Sequence, residues 1–163
     1  MRMGLLNKKS DWSAERFRAH WRDHHARLAE NPGRPLVVVV GSSRAGGGMD
    51  EITTAGEVRV RGCGELASVD AVWLPGDFGF KTCEIADLRG GTPEENIAMF
   101  SDLLVGGVSD GLMDTLCLSA GTALWVAGQA KDPAAGAGRA REIILGGELR
   151  DEARRLREAY RAD

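Results

Sequence analysis

Apolar and polar positions along this chain follow two different periods. Leu36 to Val40 is an uninterrupted, mostly β-branched run, which predicts a strand buried on both faces. Further strands are predicted over Glu57 to Arg61 and Val69 to Leu74, with Gly62, Gly64, Pro75 and Gly76 as breaks. After Leu88 the period lengthens to that of helices. Thr92-Pro93-Glu94-Glu95 offers a capping threonine, a proline at the first helical position and a glutamate three residues after the cap. Together these satisfy the orphan amides of a first turn. A helix should therefore run from Pro93 to about Val105, ended by Gly106-Gly107. Asp110 to Ala130 reads as a second, more buried helix with Leu112, Leu116, Ala120, Ala123, Leu124 and Ala127 on its apolar face. Pro133 to Leu145 and Glu148 to Tyr160 complete the helical set.

The opening of the chain has a separate character. Met1 to Lys8 reads as a short strand, and Ser10 or Ser13 caps a helix running to about Glu30, with Phe17, Trp21 and Leu28 on one stripe. Asn31-Pro32-Gly33 stops that helix, and Pro35 marks the way into the next strand. The expected organisation is a strand-helix segment over residues 1–33, then an α/β unit over residues 36–163. In that unit Leu36 to Val40 lies in a central sheet that the C-terminal helices cover.

Length and charge narrow the setting. A chain of 163 residues suits one compact domain that buries roughly 70% of its extended surface without disulfides. Cys63, Cys83 and Cys117 are odd in number and lack C-x-x-C spacing, which points to idle thiols in a reducing cytoplasm. No apolar stretch approaches the roughly 20 residues of a membrane span, and the polar N-terminus does not fit a secretory leader. A cytoplasmic protein without a membrane partner is expected. The net charge of -3, with Arg139, Arg141, Arg150, Arg154, Arg155 and Arg157 set among glutamates, argues for solvated helix faces and against nucleic acid as a partner.

Candidate chemistry concentrates just after the apolar run. Gly41, Gly46, Gly47 and Gly48 permit close approach of a ligand to the backbone, and Asp50 and Glu51 follow as adjacent carboxylates. Gly41, Arg44 and Gly48 are the candidate substrate-binding residues, Arg44 as a phosphate contact. Asp50 and Glu51 are the candidate metal ligands. The alternative is a surface turn in which the two acids merely open a short helix near Ile52. Gly41-x-x-x-x-Gly46 is not followed by Lys and Ser/Thr, so it does not make a P-loop. His20 and His24 are four apart on the first predicted helix and could share a metal, but no third ligand stands at good spacing.

Three ordered blocks between residues 36 and 160 resemble the C-terminal half of the anthranilate phosphoribosyltransferase family, which is shared with the pyrimidine nucleoside phosphorylases. The run VVHG-x-x-GLDE-[IL]-[ST]-x-x-G is echoed by Val39 to Gly41, Gly48 to Thr53 and Gly56. LRGG-x-PEEN-A is echoed by Leu88 to Asn96 with Ala98, and LNA-x-x-AL-x-VAGKA by Leu118, Ala120, Ala123, Leu124, Val126, Ala127, Gly128 and Ala130. The resemblance implies a partial phosphoribosyltransferase α/β domain, related to tryptophan biosynthesis. It also implies that Asp50 and Glu51 hold one of the magnesium ions bridging to the pyrophosphate of phosphoribosyl pyrophosphate. The type of residue fits, because a hard dication takes oxygen ligands and departing pyrophosphate needs its charge neutralised.

This chain departs from that pattern. The glycine loop GTGGD, the first-metal serine and the basic residue that recognises anthranilate have no counterpart in it. Val40 replaces the histidine before the glycine, and the loop from Ser42 to Gly47 is longer. The resemblance therefore implies a truncated, inactive or partner-dependent transferase, with a non-catalytic binding or assembly domain as the alternative. A sheet edge and apolar faces left uncovered predict a homo-oligomer. Residues 1–33 separately resemble the start of an EthD-like dimeric α+β barrel, through Lys8, Lys9, Ser13, Glu15, Phe17, His20, Trp21, Arg22 and His25, which gives a second alternative.

Overall fold

The computed structural model describes residues 35–42 and 48–160. The segment of residues 1–33, with its predicted helix, its His20-His24 pair and its EthD-like pattern, lies outside the described residues. Four strands form one antiparallel sheet: β1 (Leu36–Ser42), β2 (Gly48–Met49), β3 (Val58–Cys63) and β4 (Asp70–Trp73), in the order β2-β1-β3-β4. Leu36 sits opposite Cys63, Val39 opposite Val60, and Val58 opposite Trp73. The three strands predicted between Leu36 and Leu74 form, within a residue or two of their expected ends, and the one predicted over Met1 to Lys8 lies outside the described residues.

An antiparallel sheet buries one face, and β3 shows the expected alternation. Val58 and Val60 are 1% and 0% exposed, while Arg59 and Arg61 point to water. Arg61 meets Asp70 across the β3-β4 pair at 3.2 Å, a solvated contact worth little. β1 is interior in the strand order, but β2 pairs with it only at Gly41 and Ser42. The full burial expected of the Leu36 to Val40 run is corrected at Val37 and Val39, which are only half-buried against the core, whereas Val58 and Val60 of β3 are fully buried.

Four α-helices follow. In α1 (Pro93–Leu103) the Thr92 hydroxyl accepts from the Glu95 amide at 3.3 Å, and the Glu95 carboxylate accepts from the Thr92 amide at 2.6 Å. Ser109 caps α2 (Asp110–Val126), and Asp132 caps α3 (Pro133–Gly146) through the Ala135 amide. Gly147, at φ 95°, ends α3 in the left-handed region and leads directly into α4 (Glu148–Ala159). Short 3-10 turns at Gly64–Leu66, Pro75–Phe78 and Ile85–Leu88 were not expected from the sequence pattern.

Two apolar clusters make the core, and α2 joins them. Cys117 packs with Leu103, Met113, Ala137 and Ile144, while the next residue, Leu118, packs with Ile52, Val58 and Val60 under the sheet. Phe80 touches both clusters. The buried face of α2 is Gly111, Met113, Cys117, Leu118, Gly121 and Thr122. This corrects the predicted face: Ala120, Ala123 and Ala127 are exposed, and Leu112, Leu116 and Leu124 are half-buried. The rotation follows from glycine. A Cβ at Gly121 would fall on the backbone of Gly136 and Ala137 in α3, so α2 and α3 cross with their backbones nearly touching.

Candidate functional site

The candidate carboxylates sit where the chain leaves the β1-β2 pair. Gly41 lies opposite Met49 and Ser42 opposite Gly48, and the intervening Arg44, Gly46 and Gly47 lie outside the described residues. A Cβ on Gly41 would strike the carbonyl oxygen of Glu51 and stand 3.0 Å from the Thr53 methyl. Gly41 is therefore required by the segment that carries the two acids. Gly48 is different, since a Cβ there would meet nothing within 4 Å.

Asp50 and Glu51 are both exposed, and the backbone then turns sharply inward. Ile52, Thr53, Thr54 and Ala55 are 8%, 1%, 0% and 2% exposed. Buried hydroxyls need partners, and these threonines have them. The Thr53 hydroxyl accepts from the Ala55 amide at 2.9 Å. Thr54 reaches α2: its hydroxyl lies 2.7 Å from that of Thr115 and 3.3 Å from the Gly111 carbonyl, and its amide donates to Thr115 at 3.1 Å. The Thr54 carbonyl accepts from the Cys83 amide at 3.1 Å, and its hydroxyl lies 3.3 Å from Cys83 Sγ. A fully tied loop thus holds two solvent-facing carboxylates at its start. Sequence reasoning missed this clamp, although two adjacent threonines inside an otherwise apolar, glycine-bounded stretch were the signal.

Beside the loop is an open cleft of about 520 Å³ lined by Ser42, Gly56, Glu57, Leu74, Pro75, Gly76 and Thr82. Ser42 is fixed there, its amide and hydroxyl both donating to the Glu57 carbonyl at 2.9 and 3.2 Å. The second family-like block has a local role. Asn96 accepts from the Gly91 amide at 2.9 Å and donates to its carbonyl at 3.2 Å, so with Glu95 it ties the Gly90-Gly91-Thr92 loop onto the start of α1.

No group of three or more His, Cys, Asp or Glu side chains able to hold a metal occurs among the described residues. Asp50 and Glu51 could supply two oxygen donors, with the rest of a coordination shell coming from elsewhere. Away from this loop, Asp114 of α2 pairs with Arg141 of α3, and Arg141 lies over the Phe80 ring at 6.0 Å. Burial pushes the Asp114 carboxyl above its ordinary value despite the opposing pull of Arg141, with Asp110 adding to the rise. Burial likewise pushes the Cys117 thiol up, against Arg141 and with Asp114. Cys63, Cys83 and Cys117 are all free thiols. No helix among the described residues is long and apolar enough to cross a membrane.

Comparison with known proteins gives one consistent result. Residues 24–149 match the model of the glycosyl transferase family, a/b domain. Anthranilate phosphoribosyltransferase from Haloarcula marismortui is 35% identical over 107 residues, covering 66% of this chain and 32% of that enzyme. The enzyme from Methylorubrum extorquens is 33% identical over 157 residues, covering 94% of this chain and 45% of its own length. The crystal structure of anthranilate phosphoribosyltransferase from Thermus thermophilus superposes with a TM-score of 0.66 at 32% identity, over 83% of this chain and 37% of that one. The chain thus spans between 32% and 45% of these two sequence relatives. On the match across residues 24–149, this chain belongs to the glycosyl transferase family and carries its α/β domain in a form resembling part of an anthranilate phosphoribosyltransferase.

Proposed function

We propose that this chain supplies the metal and pyrophosphate side of a phosphoribosyl-transfer site of the anthranilate phosphoribosyltransferase kind. One observation carries the reading: Asp50 and Glu51 face solvent at the start of a loop whose next four residues are buried and clamped to α2 through Thr54 and Thr115. Surface acids that merely decorate a turn need no such anchoring. Acids that hold a cation against a departing anion do, because the ligand positions must be fixed before binding.

Magnesium fits this donor set. It binds through one or two carboxylates and keeps its remaining positions for water and substrate phosphates. When bound, it neutralises the charge growing on departing pyrophosphate. The chain's own contribution is positional: Gly41 lets the Glu51 backbone approach β1, Thr54 locks the loop, and Gly48, beside the acids, leaves room for phosphate. Arg44 is the proposed basic contact to that phosphate.

The 163 residues contain no GTGGD loop, and transfer requires contacts on both sides of the ribosyl carbon. The proposed behaviour of this chain alone is therefore binding of phosphoribosyl pyrophosphate or pyrophosphate with magnesium, and no turnover. Magnesium titration with and without pyrophosphate tests it. The second reading, an assembly domain without chemistry, is favoured by the exposed apolar residues Val72, Leu74, Ile97 and Phe100. It predicts no binding of either ligand.

A further inference from the structure

The sheet has an open edge along its most apolar strand. β1 pairs with β3 from Leu36 opposite Cys63 to Gly41 opposite Val58. On its other side β2 pairs with it only at Gly41 and Ser42. Among the described residues, no strand runs beside Leu36 to Val40 on that side.

Hydrogen-bond direction says which backbone groups face the gap. The Ser42 amide donates to the Glu57 carbonyl at 2.9 Å, on the β3 side. Backbone direction alternates along an antiparallel pair, so Leu36, Val38 and Val40 also turn their amides and carbonyls to β3. Val37 and Val39 turn theirs to the open edge. The side chains of these two valines pack on the cluster of Ile52, Val58, Val60 and Leu118. A strand anchored in the core, with a row of amides and carbonyls facing out from its side, is a template for one more strand.

Chain order names that strand. A parallel neighbour needs a connection of at least about a dozen residues, usually a helix. The sequence predicts a strand over Met1 to Lys8 and a helix from Ser10 or Ser13 to about Glu30, and β1 follows. Residues 9–35 exceed the connection required, and a helix from Ser13 to Glu30 spans about 27 Å, more than the roughly 17 Å of a five-residue edge. Consecutive strands joined in this way lie side by side, and β3 already occupies the other side of β1. The outer edge of β4 is the alternative, but it carries the charged Asp70, whereas the Leu36 to Val40 edge carries no charge.

We infer that the open edge of β1 is the docking site of the chain's own first segment, with Met1 to Lys8 added as a fifth strand, parallel to Leu36–Val40 and hydrogen-bonded to Val37 and Val39. Gly41 and Ser42 stay with β2, so the added strand ends before them. The docking is independent of the proposed transferase site.

Nuclear magnetic resonance of the isotope-labelled full chain tests this. The Val37 and Val39 amides should exchange with solvent at least about 100-fold more slowly than unpaired amides. Cross-strand contacts should link them to residues 2–8, with the Lys8 end beside Val39 and the Met1 end beside Val37. In a mixture of differently labelled chains, those contacts should arise within one copy and not between copies. Leu5→Pro together with Leu6→Pro removes a donor on either side of the added strand, and should speed exchange at Val37 and Val39 at least about tenfold while the Val58 and Val60 amides stay protected. Should that variant fail to fold, the wild-type contacts decide the matter. Fast exchange at Val37 and Val39 in the wild type, contacts from them to a second copy or to any segment other than residues 2–8, or contacts in the reverse order would overturn the inference.

Discussion

Gly121 of α2 and Gly136 of α3 meet backbone to backbone. A Cβ built on Gly136 would fall on the Gly121 carbonyl, and one built on Gly121 would fall on the Ala137 amide. Neither obstacle is a flexible side chain that can swing away. Gly121→Ala or Gly136→Ala should therefore cost about 1–3 kcal/mol as the helices are pushed apart. Gly138, in the same helix, is exposed with nothing within 4 Å of an added Cβ. Gly138→Ala should instead stabilise by about 0.5–1 kcal/mol through helix propensity. Urea unfolding of the three variants checks both signs.

Thr54 is the next test, because it links the acid-bearing loop to α2. Thr54→Val keeps the shape but removes the hydroxyl that faces Thr115 and the Gly111 carbonyl. The stranded polar groups should cost about 1–3 kcal/mol. Thr54→Ser should retain most of the stability. If the loop positions Asp50 and Glu51 as proposed, Thr54→Val should also weaken magnesium-pyrophosphate binding while leaving the overall fold intact by circular dichroism.

The Asp114-Arg141 pair predicts a pH dependence. Burial raises the Asp114 carboxyl above its ordinary value in the fold, with Arg141 pulling the other way. A raised carboxyl binds its proton more tightly folded than unfolded. Its contribution to stability is thus fully present below the unfolded value of 3.8 and is lost as pH rises through the folded value. Arg141→Leu removes the lowering influence, so the loss should become larger and extend to higher pH. Unfolding measured between about pH 4 and pH 7 should show Arg141→Leu falling further than wild type. Asp114→Asn should flatten this part of the profile.

Local signals were legible and distant ones were not. Thr92, Pro93 and Glu95 act within one turn of each other, and α1 begins where they place it. The apolar run of Leu36 to Val40 gave a strand but not its depth, because pairing with Cys63 to Val58 in an antiparallel sheet is set by residues far along the chain. The face of α2 was misplaced for a related reason. Stripe counting weighs large side chains, whereas Gly111 and Gly121 are buried because they lack one. At the site, Gly41, Asp50 and Glu51 could be picked out from residue type. Thr54 was signalled only by its place beside Thr53 in a short apolar stretch, and its clamp was not legible, since its partner Thr115 stands 61 residues away. Arg44 falls outside the described residues, so its place at the site rests on the proposal alone.

The central claim is that Asp50 and Glu51 hold magnesium for a departing pyrophosphate, and calorimetry on the full chain tests it most directly. The wild type should bind magnesium weakly alone and about tenfold more tightly with pyrophosphate or phosphoribosyl pyrophosphate present, because the anion supplies ligands that two carboxylates cannot. Asp50→Asn with Glu51→Gln should abolish that linkage with the fold intact. The same negligible heat from wild type and double variant, with magnesium and pyrophosphate together, would contradict the account and leave the acids as part of a surface turn.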